Sequence, residues 1–101
     1  MGIDVQLRGE TGEILAEVGD GRMTLSRAAQ RGLAGSRMLK YLTPWGDTVF
    51  NQAQAGDLAA DIQDLKQANP GSPLFEMLFK IEPLVARLSD EVHVYLWFVG
   101  D

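Results

Sequence analysis

Residues able to do chemistry are few in this 101-residue sequence, which contains one histidine and no cysteine. His93 stands between two valines, where alternation predicts a β-strand residue with apolar neighbours. No second imidazole and no thiolate exist to share a zinc ion with it, and none of the serines lies in a nucleophile-elbow sequence. We therefore predict no catalytic residue, no metal site and no cofactor. One hypothesis keeps His93 functional, as part of a small-molecule pocket or weak enzyme site near Trp45 and Asp47.

Three carboxylates, Asp57, Asp61 and Asp64, fall at positions i, i+4 and i+7 and share one stripe of a predicted helix. Such a stripe could meet a Lys or Arg patch on a partner, or hold a divalent cation weakly. The alternative is a solvated helix face, because acids near a helix start are favoured by the helix dipole. Nine Lys and Arg residues against fourteen Asp and Glu residues give a net charge of -5. That balance argues against nucleic acid as a partner and mildly favours a basic protein.

The segment TPWGDTVFN predicts an ordered loop with two possible roles for its large residues. In one interpretation Trp45 and Phe50 are buried, and Asp47 caps the backbone that follows it. In the other, Trp45 and Asp47 are an exposed recognition pair, because Trp is enriched in interface hot spots. The sequence leaves both interpretations open.

The last residues, EVHVYLWFVGD, form the most apolar stretch of the chain. Alternation places Val92, Val94, Leu96 and Phe98 on one face of a strand, and His93, Tyr95, Trp97 and Val99 on the other. A strand that is apolar on both faces is typical of the middle of a sheet, with helices over one of these two sets. Tyr95 and Trp97 then either fill the open side of the sheet, or form an aromatic platform for a partner or a second copy of the chain.

Periodicity predicts the other elements. GIDVQLRG and EILAEV predict a β-hairpin from residue 2 to about 18. A short helix is expected to begin with Thr24 as its N-cap and to end at Gly35. Residues 36–42 fit a helical turn or a short strand equally well.

Two further helices are predicted after the TPWGDTVFN segment. DLAADIQDLKQA is amphipathic and is closed by NPGSP. Ser72 then caps a longer helix with Pro73 in its first position and Pro83 on its solvent side. The expected fold is α+β in a single domain, residues 1–101: a small antiparallel sheet of about three strands, with two or three helices packed on one face. The three strands are the N-terminal hairpin and a central C-terminal strand.

MGIDV, TPWGDTVFN and HVYLWFVGD together resemble a group of small, functionally uncharacterised bacterial proteins. These begin with a short MG-type strand, hold a PxGDTVFN-like loop and end in a strand closing with GD. The resemblance implies a compact bacterial cytosolic domain and no particular activity. The lack of cysteine, of a signal peptide and of an apolar run of about 18 residues also predicts a soluble cytoplasmic protein without a membrane partner.

By elimination, we expect a non-enzymatic, acidic, cytosolic protein-interaction module. One concrete form is an inhibitor or immunity protein for a basic partner, whose encounter the negative charge would speed. Asp57, Asp61, Asp64, Trp45, Asp47, Tyr95 and Trp97 are the expected partner-binding residues. A second hypothesis is a structural homo-oligomer, such as a homodimer, that meets its mate through the face of Tyr95 and Trp97. The third is the small-molecule binder or weak enzyme around His93.

Overall fold

The computed structural model describes residues 2–33 and 35–100. Four strands form one antiparallel sheet: β1 (Asp4–Gly9), β2 (Ile14–Val18), β3 (Asp47–Phe50) and β4 (Val94–Val99). The helices are α1 (Thr24–Gln30), α2 (Ala55–Ala68) and α3 (Pro73–Asp90). The predicted α+β class is confirmed, with one strand more than expected.

The strand order is β2-β1-β4-β3, so the C-terminal strand lies inside the sheet between β1 and β3. Val94, Leu96 and Phe98 point into the core beneath the helices, whereas Tyr95 and Trp97 are half-buried on the opposite face. Within the described residues the helices cover only the first of these two faces, so the central position of β4 explains only one of its two apolar faces. The core continues into β1 through Val5 and Leu7 and into the buried faces of α2 and α3.

The additional strand, β3, lies in the TPWGDTVFN segment, for which the sequence predicts an ordered loop. Its residues pair with β4 at one edge of the sheet. Phe50 is buried and meets the Phe98 ring edge-on, with ring centres 5.6 Å apart. Trp45 is 73% exposed, so the interpretation that buries it is wrong. A four-residue strand shows too little alternation to be distinguished from a loop by pattern alone.

The terminal strand begins later than the alternation suggested. Val92 is 68% exposed and lies before β4. His93 has a φ of 59°, in the left-handed region, and this turns the chain before Val94 enters the sheet. The expectation that His93 is a strand residue is therefore wrong.

Helix α1 is found where the periodicity predicted a helix, but Thr24 is its first residue and not its cap, and the helix ends at Gln30, before the predicted Gly35. The residue before Thr24, Met23, has a φ of 56°. The carboxylate of Asp20 accepts hydrogen bonds from the backbone amides of Leu25 (3.2 Å) and Ser26 (3.0 Å). It also accepts a hydrogen bond from the backbone amide of Ile3 (3.1 Å). One buried aspartate thus caps α1 and ties it to the chain entering β1.

The two longer helices match their predictions closely. In α3 the hydroxyl of Ser72 accepts the Phe75 amide at 3.1 Å, and Pro73 occupies the first position. Pro83 lies inside α3 on its exposed side. The segment of uncertain type contains a single 3-10 turn, Leu39–Tyr41.

Candidate interaction surface

The face of the sheet away from the helices has no helix packed on it among the described residues; we call it the open face. The strand registers place one row of side chains across all four strands on this face: Glu17, Gln6, Trp97 and Val49. A second row contains Asp4, Val99 and Asp47, and a third contains Arg8 and Tyr95. Alternation along β1 and β4 predicts the members of these strands, but only the register shows which of them are neighbours.

Trp97 is at the centre of the open face, and Arg8 is stacked on it. The Arg8 guanidinium carbon lies 4.2 Å from the centre of the Trp97 ring. Its Nε and Nη2 atoms donate to Oε1 of Gln6 at 2.8 and 2.5 Å, and Nε2 of Gln6 donates to Glu17 at 2.5 Å. This network holds the Trp97 ring and its neighbours in one arrangement.

The apolar part of the open face extends from Trp97 to an edge of the sheet. Val49, which pairs with Trp97, is 42% exposed on the edge strand β3. Trp45 lies two residues before β3, and its side chain is also exposed. The backbone near it is held by the Gly100 amide, which donates to the Gly46 carbonyl at 2.9 Å. An exposed edge strand with an apolar side chain is a common site of pairing with another chain.

Acidic side chains surround this apolar part. Asp4, Glu17 and Asp47 are exposed on the open face, where Arg8 is the single basic residue among the described positions of the three rows. The face therefore combines the stacked Trp97 and Arg8 side chains and the apolar Val49 with three exposed carboxylates. Such a pattern complements a basic partner, because opposite potentials favour encounter and orientation.

The three aspartates of α2 do not form one exposed stripe. Asp61 is buried, and its carboxylate accepts three backbone amides, from Arg37 (2.8 Å), Met38 (2.7 Å) and Leu39 (3.1 Å). Asp57 pairs with the Arg37 side chain at 3.0 Å. Because Asp61 is buried, the prediction that it binds a partner is wrong. Of the three aspartates, Asp64 is exposed and forms no ion pair among the described residues.

His93 does not lie near Trp45 and Asp47. Asp47 pairs with Val99 at one end of β4, whereas His93 precedes Val94 at the other end. A six-residue strand separates these positions by roughly 17 Å. His93 is exposed in a shallow groove of about 350 Å³, with Nδ1 3.7 Å from Oε2 of Glu10. His93, Trp45 and Asp47 therefore do not form one pocket, as the hypothesis of a small-molecule binder or weak enzyme requires.

Comparisons of the chain with protein-family models, curated proteins and solved structures find no match. Within residues 2–33 and 35–100, no group of three or more histidine, aspartate and glutamate residues could hold a metal ion. No helix in the same ranges combines the length and the apolar character that crossing a membrane requires. Of the seven expected partner-binding residues, Asp47, Tyr95 and Trp97 lie in the rows of the open face, and Trp45 is exposed two residues before β3.

Proposed function

We propose that the protein is a non-enzymatic interaction module that binds a basic protein through the open face. The observation that carries this proposal is the row from Glu17 to Val49, which crosses the whole sheet with Trp97 at its centre and without a helix over it. Trp and Arg are the residue types most enriched in interface hot spots. Here Trp97 and Arg8 are stacked together and already ordered.

The exposed carboxylates of the open face support the choice of a basic partner. Asp4, Glu17 and Asp47 would accelerate encounter with a positively charged surface, and the chain as a whole carries a net charge of -5. An inhibitor or immunity protein for a basic toxin or nuclease is one concrete form of this function in the bacterial cytosol. In that form the open face would cover the basic active-site surface of the toxin.

The test is a pull-down with immobilised protein followed by calorimetry with the purified partner. We expect binding of a basic protein that weakens as salt rises, that is lost in Trp97→Asp and Val49→Lys, and that persists in Phe79→Ser. Phe79 is the matched control, because it is an exposed aromatic residue of α3. Circular dichroism shows whether each variant folds, and Val49→Lys alters only an exposed edge residue. The proposal would be refuted if the partner bound the wild type and all three variants equally, or if no basic partner were found.

A homodimer through the same region is the second candidate, and the free edge of β3 favours it. Pairing of two β3 edges would join the two sheets into one and would cover Val49 on both copies. Light scattering at low and high salt separates the candidates. A salt-resistant dimer that Val49→Lys converts to a monomer supports this second function, whereas a monomer at every concentration excludes it.

A further inference from the structure

The negative net charge conceals a strong segregation of charge along the chain. Between Asp20 and Asp47 there is no acidic residue, whereas this interval carries five of the nine Lys and Arg residues. Three of the five, Arg22, Arg27 and Arg31, come together in the fold. The surface around α1 is therefore locally basic, although the protein as a whole is acidic.

The three arginines line one groove, where α1 lies beside the start of α3. The groove has a volume of about 260 Å³, and its other polar lining residues are Thr24, Asn69 and Ser72. No acidic side chain lines it, and within the described ranges no carboxylate forms an ion pair with any of the three arginines. Two other arginines differ in this respect: Arg37 is paired with Asp57 and Arg87 with Glu91.

Local structure does not account for this accumulation of positive charge. Arg27 and Arg31 are four residues apart, a spacing at which like charges repel on a helix. The dipole of α1 favours a basic residue in its last turn, such as Arg27, but not Arg22, which precedes the helix. Leu74, in the first turn of the 18-residue helix α3, also lines the groove, and the helix dipole places partial positive charge at this end of α3.

We propose that this groove binds a small phosphorylated ligand that carries at least two negative charges. Guanidinium groups match phosphate oxygens through paired hydrogen bonds, and three of them complement a pyrophosphate better than a single carboxylate. The volume lies below the range of roughly 300–1,000 Å³ that is usual for drug-sized ligands. A compact and highly charged group therefore fits the groove, and a long apolar ligand does not. The hydroxyls of Thr24 and Ser72 and the amide of Asn69 provide additional polar contacts.

Inorganic pyrophosphate is the probe for the first test, by calorimetry and by amide chemical shifts of the whole chain. We expect saturable binding with shifts confined to α1 and the start of α3. Arg27→Gln and Arg31→Gln should each weaken it about tenfold or more, because each removes charge-assisted hydrogen bonds. Both residues are exposed, so the variants should keep the fold.

Lys40→Gln is the matched control, because Lys40 is an exposed basic residue outside the groove that forms no ion pair among the described residues. It should leave pyrophosphate binding unchanged. Equal weakening in Lys40→Gln and in the arginine variants would indicate nonspecific attraction and overturn the proposal, as would the absence of binding at millimolar pyrophosphate. If short single-stranded DNA bound more tightly than pyrophosphate and with a steep salt dependence, the proposal of a small ligand would be overturned in favour of a nucleic acid. Binding that survives in Val49→Lys would show that this groove acts independently of the open face.

Discussion

The carboxylate of Asp61 accepts the backbone amide of Met38 at 2.7 Å, and this contact joins α2 to a segment 23 residues earlier in the chain. The same carboxylate also accepts the amides of Arg37 and Leu39. The start of the 3-10 turn Leu39–Tyr41 is therefore capped by the buried Asp61 carboxylate and not by a side chain of the turn itself. Burying a carboxylate is tolerated when several backbone amides donate hydrogen bonds to it, whereas burying one without such partners is costly.

Asp61→Asn is expected to lower the free energy of unfolding by about 3 kcal/mol, because the amide side chain offers one acceptor oxygen to three backbone N–H groups that are buried or partly buried. Urea unfolding followed by circular dichroism measures the change. Asp64→Asn is the control on the same helix and, because Asp64 is exposed, should change the stability by less than about 0.5 kcal/mol. Equal effects of the two substitutions would contradict the structural role of Asp61.

Asp20 and Asp61 also show why sequence patterns predicted the helices and strands better than their connections. Alternation in β1 and β4, and Ser72 followed by Pro73, are local signals, and the structure confirms them. The amides that donate hydrogen bonds to Asp61 lie at least 22 residues away along the chain, so no local sequence pattern reveals these contacts. The turn at His93 escaped prediction for a related reason, because its apolar neighbours continue the alternation of β4 although its backbone does not.

The candidate site was predictable to a similar extent. Alternation placed Tyr95 and Trp97 on one face, and the open face contains both. The stacking of Arg8 on Trp97 depends on the register between β1 and β4, which periodicity does not determine. The arginine groove depends on the packing of α1 against α3, and a net charge summed over the whole chain cannot show it.

Gly100 is expected to be intolerant of a side chain. A Cβ atom there would lie 2.6 Å from the Gly46 carbonyl oxygen and 2.7 Å from those of Pro44 and Thr43. Gly100→Ala should therefore destabilise the protein by about 1–3 kcal/mol and disturb the backbone beside Trp45. Thermal unfolding and the amide spectrum of residues 43–46 measure both effects.

Gly56→Ala provides the comparison for Gly100→Ala. A Cβ at position 56 meets nothing within 4 Å, and Gly56 lies in α2. Alanine should stabilise that helix by up to about 1 kcal/mol. If Gly100→Ala matched Gly56→Ala in stability, the close approach of Gly100 to the 43–46 backbone would be refuted.

The left-handed backbone at His93 leads to a different comparison of two substitutions. Both His93→Gly and His93→Ala remove the contact with Glu10, so this loss cancels between them. Glycine adopts a φ of 59° without the Cβ strain that alanine retains. The glycine variant should be more stable than the alanine variant by about 1 kcal/mol in urea unfolding. An alanine variant of equal or greater stability would show that residue 93 is not held in this conformation.

The ion pair at the end of α3 predicts a pH-dependent signal. Nε of Arg87 donates to Oε2 of Glu91 at 2.6 Å, and this hydrogen bond lowers the pKa of the Glu91 carboxyl below its ordinary value of 4.5. Because the pKa in the folded protein is lower than in the unfolded chain, the contribution of the pair to stability is present above the unfolded pKa. It is lost as the pH falls through the folded pKa. The contribution itself is small, since both side chains are exposed to solvent screening.

Carboxyl-detected NMR titration of Glu91 tests this directly. Arg87→Gln should raise the midpoint toward 4.5, because the hydrogen bond and the positive charge are both removed. Arg37→Gln removes the same charge from the pair with Asp57 and should leave the Glu91 midpoint where it is. If both variants moved the Glu91 midpoint equally, its low pKa would come from the overall charge of the protein instead of from Arg87.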